Sequence, residues 1–229
     1  MAQRFPLFRV KLARRIWMWL MTGSMHRYQV YLPSYPMMLE QNQLETCRVV
    51  CHRKELLAQL SLRANPNVAE IGVLRGDFSL VLMEQLRPAK LHLFDLDFKT
   101  HRIAERFASE IAAGRVHLHE GDSSSNISAF PKEYFDVIYI DGDHSKEGVV
   151  KDIEASVPRL SAQGYLIFND YTCWSPCENL QYGIMPAVNE FCRRENWEAT
   201  HFALDGYMYC DLAIRKRISA PPGGRNLAE

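Results

Sequence analysis

"YIDGDHSKEGVVKDIEASVPRLSAQGYLIFNDY" runs from Tyr139 to Tyr171. Two apolar runs in it stop on polar side chains: Asp141, Asp143 and His144 follow VIYI, and Asn169 and Asp170 follow YLIF. Between them, "SKEGVVKDIEASVPRL" puts Val149, Val150, Ile153, Val157 and Leu160 on one helical face. A buried strand, a helix and a second buried strand make a unit of parallel sheet.

The same rhythm extends in both directions. "VAEIGV" is a strand followed by a glycine-bearing loop and the helix "FSLVLMEQLR"; "KLHLFDLD" is a strand ending in acids. "HRIAERFASEIAAG" reads as one amphipathic helix with Ile103, Phe107 and Ile111 on a side and a glycine at its stop. "RVHLHEGD" is the next strand. After the quoted stretch come the helix "PAVNEFCRREN" and two strands, "WEATHFAL" and "YCDLAIRK", with no helix between them, which predicts an antiparallel pair at one edge. The expected fold is α/β, a Rossmann-like seven-stranded doubly wound sheet, mostly parallel with one antiparallel edge strand. "ETCRVVCHRKELLAQLSLR" upstream has a helical rhythm through Val49, Val50, Leu56, Leu57 and Leu60. Residues 1–45 read as an accessory arm or lid, 46–218 as the domain, and 219–229 as a flexible tail.

With 27 Lys+Arg against 27 Asp+Glu, no bulk charge steers the chain of 229 residues to nucleic acid. The segment "RFPLFRVKLARRIWMWLMTGSM" mixes basic and aromatic residues, but "IWMWLM" is too short for a signal peptide core, and no run reaches the roughly 18 apolar residues of a membrane span. An arm packed on the domain, on a twin subunit in a homo-oligomer or over a substrate is the favoured reading; membrane contact through a basic amphipathic helix is the alternative. The six cysteines, Cys47, Cys51, Cys173, Cys177, Cys192 and Cys210, include two CxxxC pairs near His52 and His201. Structural zinc prefers the tighter CxxC knuckle, so reduced thiols of a cytoplasmic protein are expected.

In an open parallel sheet, ligands bind at the carboxyl ends of the strands, where every polar cluster of this pattern falls. In "EIGVLRGDFS", Gly72 and Gly76 permit a tight turn, but the GxxxG spacing is not the GxGxxG of a dinucleotide fingerprint. In "LFDLD", Asp95 could accept both hydroxyls of a ribose, with Asp97 as the alternate; "EGDSSS" offers Asp122 and Ser123. Asp141 and Asp170 end separate strands that the topology can set side by side, where two carboxylates repel unless a proton or a cation lies between them. An oxygen-only set suits magnesium. His144 lies in the right loop to act as general base, with Lys146 the runner-up and Asp143 placed to orient the imidazole.

Taken in order, "VAEIGVLRGDFS", "LHLFDLD", "HEGDS", "FDVIYIDGDH" and "GYLIFNDY" resemble the class I S-adenosylmethionine-dependent methyltransferases, and most closely the metal-dependent small-molecule O-methyltransferases of the macrolide and sugar type. The resemblance covers roughly Cys47 to Lys216. It implies that Glu70 and Gly72, with Gly76 and Ser79 beside them, line the methionine part of S-adenosyl-L-methionine. It also implies that Asp95 holds the ribose, that Asp122 and Ser123 meet the adenine, and that Asp141, Asn169 and Asp170 bind a divalent cation, Mg2+. Relatives carry two acids, or an acid then an amide, at the fifth strand's end; here the order is amide then acid. The acceptor implied is a hydroxyl of a sugar, glycoside or related natural product, with Asp141 and His144 at the reaction. Tyr171, Trp174 and Tyr182 of "DYTCWSPCENLQYG" are either its wall or core aromatics. The competing readings are an NAD-dependent oxidoreductase on a similar sheet and a cofactor-binding protein without turnover.

Overall fold

Neighbouring side chains on the central strands enter two different cores, which is why these strands read as unbroken apolar runs. Val137 and Tyr139 join one core with Leu91, Leu93 and Ile167; Ile138 and Ile140 join the other with Phe94, Leu166 and Phe168. The computed structural model describes residues 37–217 except 176 and 179. The first 36 residues of the expected arm, and the expected tail, lie outside the described residues.

Strands β1 (Arg48–Val50), β2 (Asn67–Ile71), β3 (Lys90–Asp95), β4 (Val116–Glu120), β5 (Phe135–Ile140), β6 (Leu160–Phe168), β9 (Trp197–Ala203) and β10 (Asp211–Lys216) form an eight-stranded sheet. Its order is β1-β9-β10-β6-β5-β2-β3-β4. The doubly wound, mostly parallel architecture is as expected, with β10 antiparallel to both β6 and β9. One strand is additional. Val49 and Val50 do not enter a helix; they pair parallel to β9 outside the expected edge. Two adjacent valines have no period to read, and their β-branched side chains suit a strand. Two-residue strands β7 (Trp174–Ser175) and β8 (Leu180–Gln181) form a separate hairpin.

Helices α1 (Arg53–Ala58) and α2 (Asp77–Leu86) cover one face through Leu56, Leu57, Leu82 and Leu86. The expected single helix after β3 is two, α3 (Ile103–Arg106) and α4 (Ala108–Ala112), interrupted at Phe107, whose ring is fully buried. Helices α5 (Ser123–Ser128), α6 (Lys146–Ser156) and α7 (Ile184–Glu195) cover the other face. Residues 37–45, read as part of the arm, lie against α7 and β9: Gln43 donates to the Trp197 carbonyl at 3.0 Å and Arg193 pairs with Glu40 at 2.9 Å. Among the described residues no helix is long and apolar enough to cross a membrane. The six cysteines are all free. His52, near two of them, caps α1 by accepting from the Lys54 amide at 3.1 Å.

At the β4 edge three imidazoles stack. The His92 and His117 rings lie 4.8 Å apart, and His92 Nδ1 is 3.0 Å from His119 Nε2. Phe130, Tyr134 and Phe135 close around His92, and burial, helped by the two neighbouring histidines, pushes its pKa down from the ordinary 6.5 to about 3. The folded chain therefore refuses a proton that the unfolded chain accepts, so this site contributes stability that is complete above pH 6.5 and lost as pH falls toward 3. Within that window the slope is about 1.4 kcal/mol per pH unit. Replacing His92→Phe is expected to flatten the acid limb; urea unfolding at pH 4.5 and 7.5, compared with wild type, checks it.

Candidate functional site

Strands β2 and β5 are neighbours, yet the chain leaves β2 toward β3 and β4 and returns to β5 before moving on to β6. This is the topological switch point, where an α/β sheet opens a crevice. A cleft of about 710 Å3 lies there, lined by Glu70, Gly72, Asp95, Ser123, Asp141 and His144 among others.

The floor is backbone. Gly72 has φ +83°, and a Cβ on it would stand 2.0 Å from the Asp141 carbonyl oxygen. Only glycine satisfies both the left-handed conformation and the contact. Glu70, one residue earlier on the strand than Ile71, is buried and accepts from Ser79 Oγ; burial drives its pKa well up. Asp95 ends β3. Its Oδ2 accepts the amides of Val73 and Leu74 at 2.8 and 3.0 Å, and its Oδ1 accepts that of Asp97 at 3.2 Å. The carboxylate thus shapes the first loop while lining the cleft. Asp97, the alternate, is spent on a turn, accepting from the Lys99 and Thr100 amides.

Ser79 and Gly76 are not among the residues lining the cleft, whereas Asp122 and Ser123 line it and carry structural bonds as well. Ser79 is fully buried and acts on Glu70. Gly76, at φ +72°, caps α2 under the Phe107 ring, where a Cβ would come within 2.8 Å of that ring. Asp122 lines the cleft but serves as the cap of α5: its Oδ1 accepts from the Ser125 amide and the Ser124 hydroxyl, both at 2.7 Å, and these bonds hold its pKa down to about 2. Ser123 Oγ donates to Asp152 at 2.7 Å; Asp152 is a buried acid of α6 lifted by desolvation to about 6.

A second cluster of polar side chains lies between β5 and β6. His144 Nε2 stands 3.6 Å from Asp141 Oδ1 and 3.7 Å from Asp170 Oδ2, so both carboxylates reach one point. The imidazole stacks on Tyr182, ring centres 4.4 Å apart, and its Nε2 is buried without a hydrogen-bond partner. Burial lifts the pKa of Asp141 to about 7, opposed by a 2.8 Å bond from Asn169 Nδ2, and raises that of Asp170, whose backbone is left-handed at φ +51°. Asp143 does not orient the imidazole: it accepts from the Ser145 amide and hydroxyl at the start of α6. Lys146 is paired with Glu190 at 2.7 Å. Of the three wall aromatics, Tyr182 is buried, and Tyr171 packs on the core with its hydroxyl on Asn189 at 2.5 Å.

Among the described residues no group of three or more His, Cys, Asp or Glu side chains is arranged to hold a metal ion. Asn169, an expected ligand, turns its amide nitrogen toward Asp141. The chemistry of the set nevertheless suits a hard cation. Two part-desolvated carboxylates and an amide oxygen are oxygen donors of the kind such a cation takes.

Behind the site lies a chain of groups that sequence reasoning missed. Tyr139 directs its hydroxyl at Asp211 Oδ2, 2.7 Å away, and lies 3.3 Å from Asn169 Oδ1. Arg53 reaches Asp211 at 3.5 Å and Asp205 at 3.2 Å. One sequence signal existed: Arg53 opens α1, and a cation is disfavoured at a helix N-terminus unless acids hold it there.

Solved structures share the architecture. A Corynebacterium glutamicum protein aligns over 87% of this chain and 89% of its own, with TM-score 0.57 and 16% identity. An O-methyltransferase family protein from Burkholderia thailandensis aligns over 73% of this chain and 56% of its own, with TM-score 0.56 and 13% identity. The methyltransferase CalH, solved in complex with SAH, aligns over 72% and 55%, with TM-score 0.53 and 15% identity. At these identities the likeness is one of fold. A curated relative, an uncharacterized protein of Acanthamoeba polyphaga mimivirus, is 37% identical over 57 residues, and the match spans 24% of this chain and 23% of that protein.

Replacing Gly72→Ala should cost about 3 kcal/mol or more, through strain and overlap together. The control Gly114→Ala, also at positive φ but with nothing within 4 Å of the new methyl, should cost only about 1 kcal/mol. Denaturant unfolding of both variants measures the difference. The stretch from residue 69 to residue 171, under half of the chain but including the ends of β2, β3, β4, β5 and β6, matches the family model described as a methyltransferase domain.

Proposed function

We propose that this chain is an S-adenosylmethionine-dependent O-methyltransferase acting on a hydroxyl of a small molecule, a sugar, glycoside or related natural product. The observation that carries the reading is the convergence of His144, Asp141 and Asp170, with Asp141 and His144 lining the same cleft as Gly72 and Asp95. The methyltransferase-domain match and the fold shared with CalH and with the Burkholderia thailandensis protein support it.

S-Adenosylmethionine, when bound, supplies an electrophilic methyl group on a sulfonium. Gly72 lets the Asp141 backbone close up beside it to form the floor of the cleft, Glu70 lines the part that would meet its amino-acid end, and Asp95 would present a carboxylate to the ribose. Leu96, exposed beside Asp95, and Ser123 line the cleft where the adenine would lie.

The acceptor oxygen would take that methyl group in a single displacement, its bond to the methyl carbon forming as the carbon–sulfur bond gives way. His144 takes the hydroxyl proton. The positive charge it then carries is met by Asp141 and Asp170 at 3.6 and 3.7 Å. A divalent cation, Mg2+, held by Asp141, Asp170 and the carbonyl of Asn169, would polarise the acceptor hydroxyl. The rest of the rate comes from holding two reactants in line, for which a cleft with a rigid backbone floor is suited.

A methyl-transfer screen over hydroxylated small molecules, with and without EDTA, tests the proposal. Transfer abolished by EDTA is the expected result, and no transfer to any hydroxyl would overturn the reading. His144→Ala should lower turnover at least about 100-fold while leaving S-adenosylhomocysteine affinity within about threefold. Comparable loss of both, or a thermal shift with NAD and none with S-adenosylhomocysteine, would count against it.

A further inference from the structure

We propose that Tyr139, held by Asp211 and Arg53, decides which end of the Asn169 side-chain amide faces Asp141, and is therefore a positioning residue for a divalent cation at this site. The inference rests on the reading of Asp141, Asn169 and Asp170 as the reaction end.

The argument is a count of protons. Tyr139 has one hydroxyl proton and two acceptors in reach, Asp211 Oδ2 at 2.7 Å and Asn169 Oδ1 at 3.3 Å. It can satisfy one at a time, and a carboxylate at the shorter distance is the stronger acceptor. Asn169 meanwhile donates from Nδ2 to Asp141 Oδ1 at 2.8 Å. In this state the amide offers a donor to the acid, and no oxygen of Asn169 is available beside it.

A half-turn of the amide exchanges oxygen and nitrogen with little change of shape. Nδ2 then points at the Tyr139 hydroxyl, which can accept because its proton is committed to Asp211. Oδ1 comes to stand beside Asp141. Two oxygens facing one another repel unless positive charge lies between them, so this second state is the one a cation would select.

The supporting groups keep both states open. Asp211 is 1% exposed, and Arg53 is its partner at 3.5 Å. The guanidinium of Arg53 lies 5.5 Å above the Phe78 ring, and Phe78 packs on the Tyr139 ring with centres 4.2 Å apart. The phenol is thereby fixed in position with its proton directed at Asp211. Arg53 stands on α1, outside the stretch 69–171 that matches the methyltransferase domain.

Calorimetric titration of Mn2+ into the full chain tests this as a double-mutant cycle on Tyr139→Phe and Asn169→Asp. Tyr139→Phe removes the acceptor that the turned amide needs and should weaken Mn2+ binding about tenfold or more. With Asn169→Asp no amide has to turn, and the same change should then cost less than about twofold. Affinity for S-adenosylhomocysteine should stay within about twofold in all four proteins, showing that the fold holds. Where Tyr139→Phe fails to fold, Asp211→Asn reports the same coupling. Its amide can donate to Tyr139 and send the phenol's proton to Asn169, again weakening Mn2+. Equal Mn2+ binding by wild type and Tyr139→Phe, an undiminished loss in the Asn169→Asp background, or no binding by wild type would each overturn the inference. Methyl transfer persisting in EDTA would sink it while leaving the O-methyltransferase reading intact. Coupled Mn2+ binding without any methyl acceptor would do the reverse.

Discussion

The cleft depends on a run of backbone bonds that carries the parallel ladder one residue past the strand ends. Gly72 donates to Phe94, Asp141 to Ile71 and Asn169 to Ile140, at 2.9, 2.8 and 3.0 Å. These bonds set Gly72, Asp141 and Asn169 in a row across β2, β5 and β6. A side chain at Gly72 would break the row, because the Asp141 carbonyl occupies the space. The row also fixes which way the flanking residues point. Glu70 and Tyr139 are register partners on one face, so the buried acid and the buried phenol share a core with Ser79 and Phe78 of α2.

That arrangement concentrates carboxylates where solvent is scarce. Burial lifts the pKa values of Glu70, Asp141, Asp170 and Asp211, and the opposing influences are few: Ser79 on Glu70, Asn169 and Arg53 on Asp141, His144 and Arg53 on Asp170, and Arg53 and Tyr139 on Asp211. A core built for stability alone would not gather four such acids at the ends of adjacent strands. Glu70 and Asp141, which line the cleft, are perturbed acids of the kind that makes a cleft a functional-site candidate. The contrast with Asp122 is informative. That carboxylate is near the same cleft but satisfied by two serines, and its pKa moves the other way.

Much of this was legible because strand ends and apolar runs are local signals. The order of strands and helices, the reversed last strand, and the placing of Asp141, His144, Asn169 and Asp170 at two neighbouring strand ends follow from patterning in the chain. What escaped was either short or non-local. β1 is a three-residue strand whose partner lies some 150 residues away in β9. Helix α5 reads as an ordinary turn, since SSSNIS has little helical propensity; it forms because Asp122 caps it and Ile127 is fully buried. Ser79 is expected beside Glu70, but that its hydroxyl donates to that acid, nine residues back on β2, is a contact the sequence does not show. Lys146 reads as the runner-up base and Asp143 as the group to orient the imidazole because both sit beside His144 in sequence, but Lys146 pairs with Glu190 and Asp143 bonds Ser145.

The residues around His144 come from a wider span than those lining the cleft. Asp141, His144, Asn169 and Asp170 lie within 69–171, but the ring stacked on His144 is Tyr182, and the carboxylate behind Tyr139 is Asp211 on the reversed strand. Arg53, which pairs with that carboxylate, is held by a helix whose preceding strand docks on β9. β10 bonds to both β6 and β9, so its first residue is carried to the same end of the sheet as the last residue of β6. The antiparallel turn of β10 therefore has a chemical consequence. A parallel strand in that place would present its carboxyl end to the cleft, whereas β10 presents its start, and Asp211 is that start. The additional strand β1 and helix α1 then bring a cation to an acid that burial would otherwise leave unmatched. The edge elements outside the matched stretch thus govern the charge and hydrogen bonding behind the acids, while the elements inside it form the cleft.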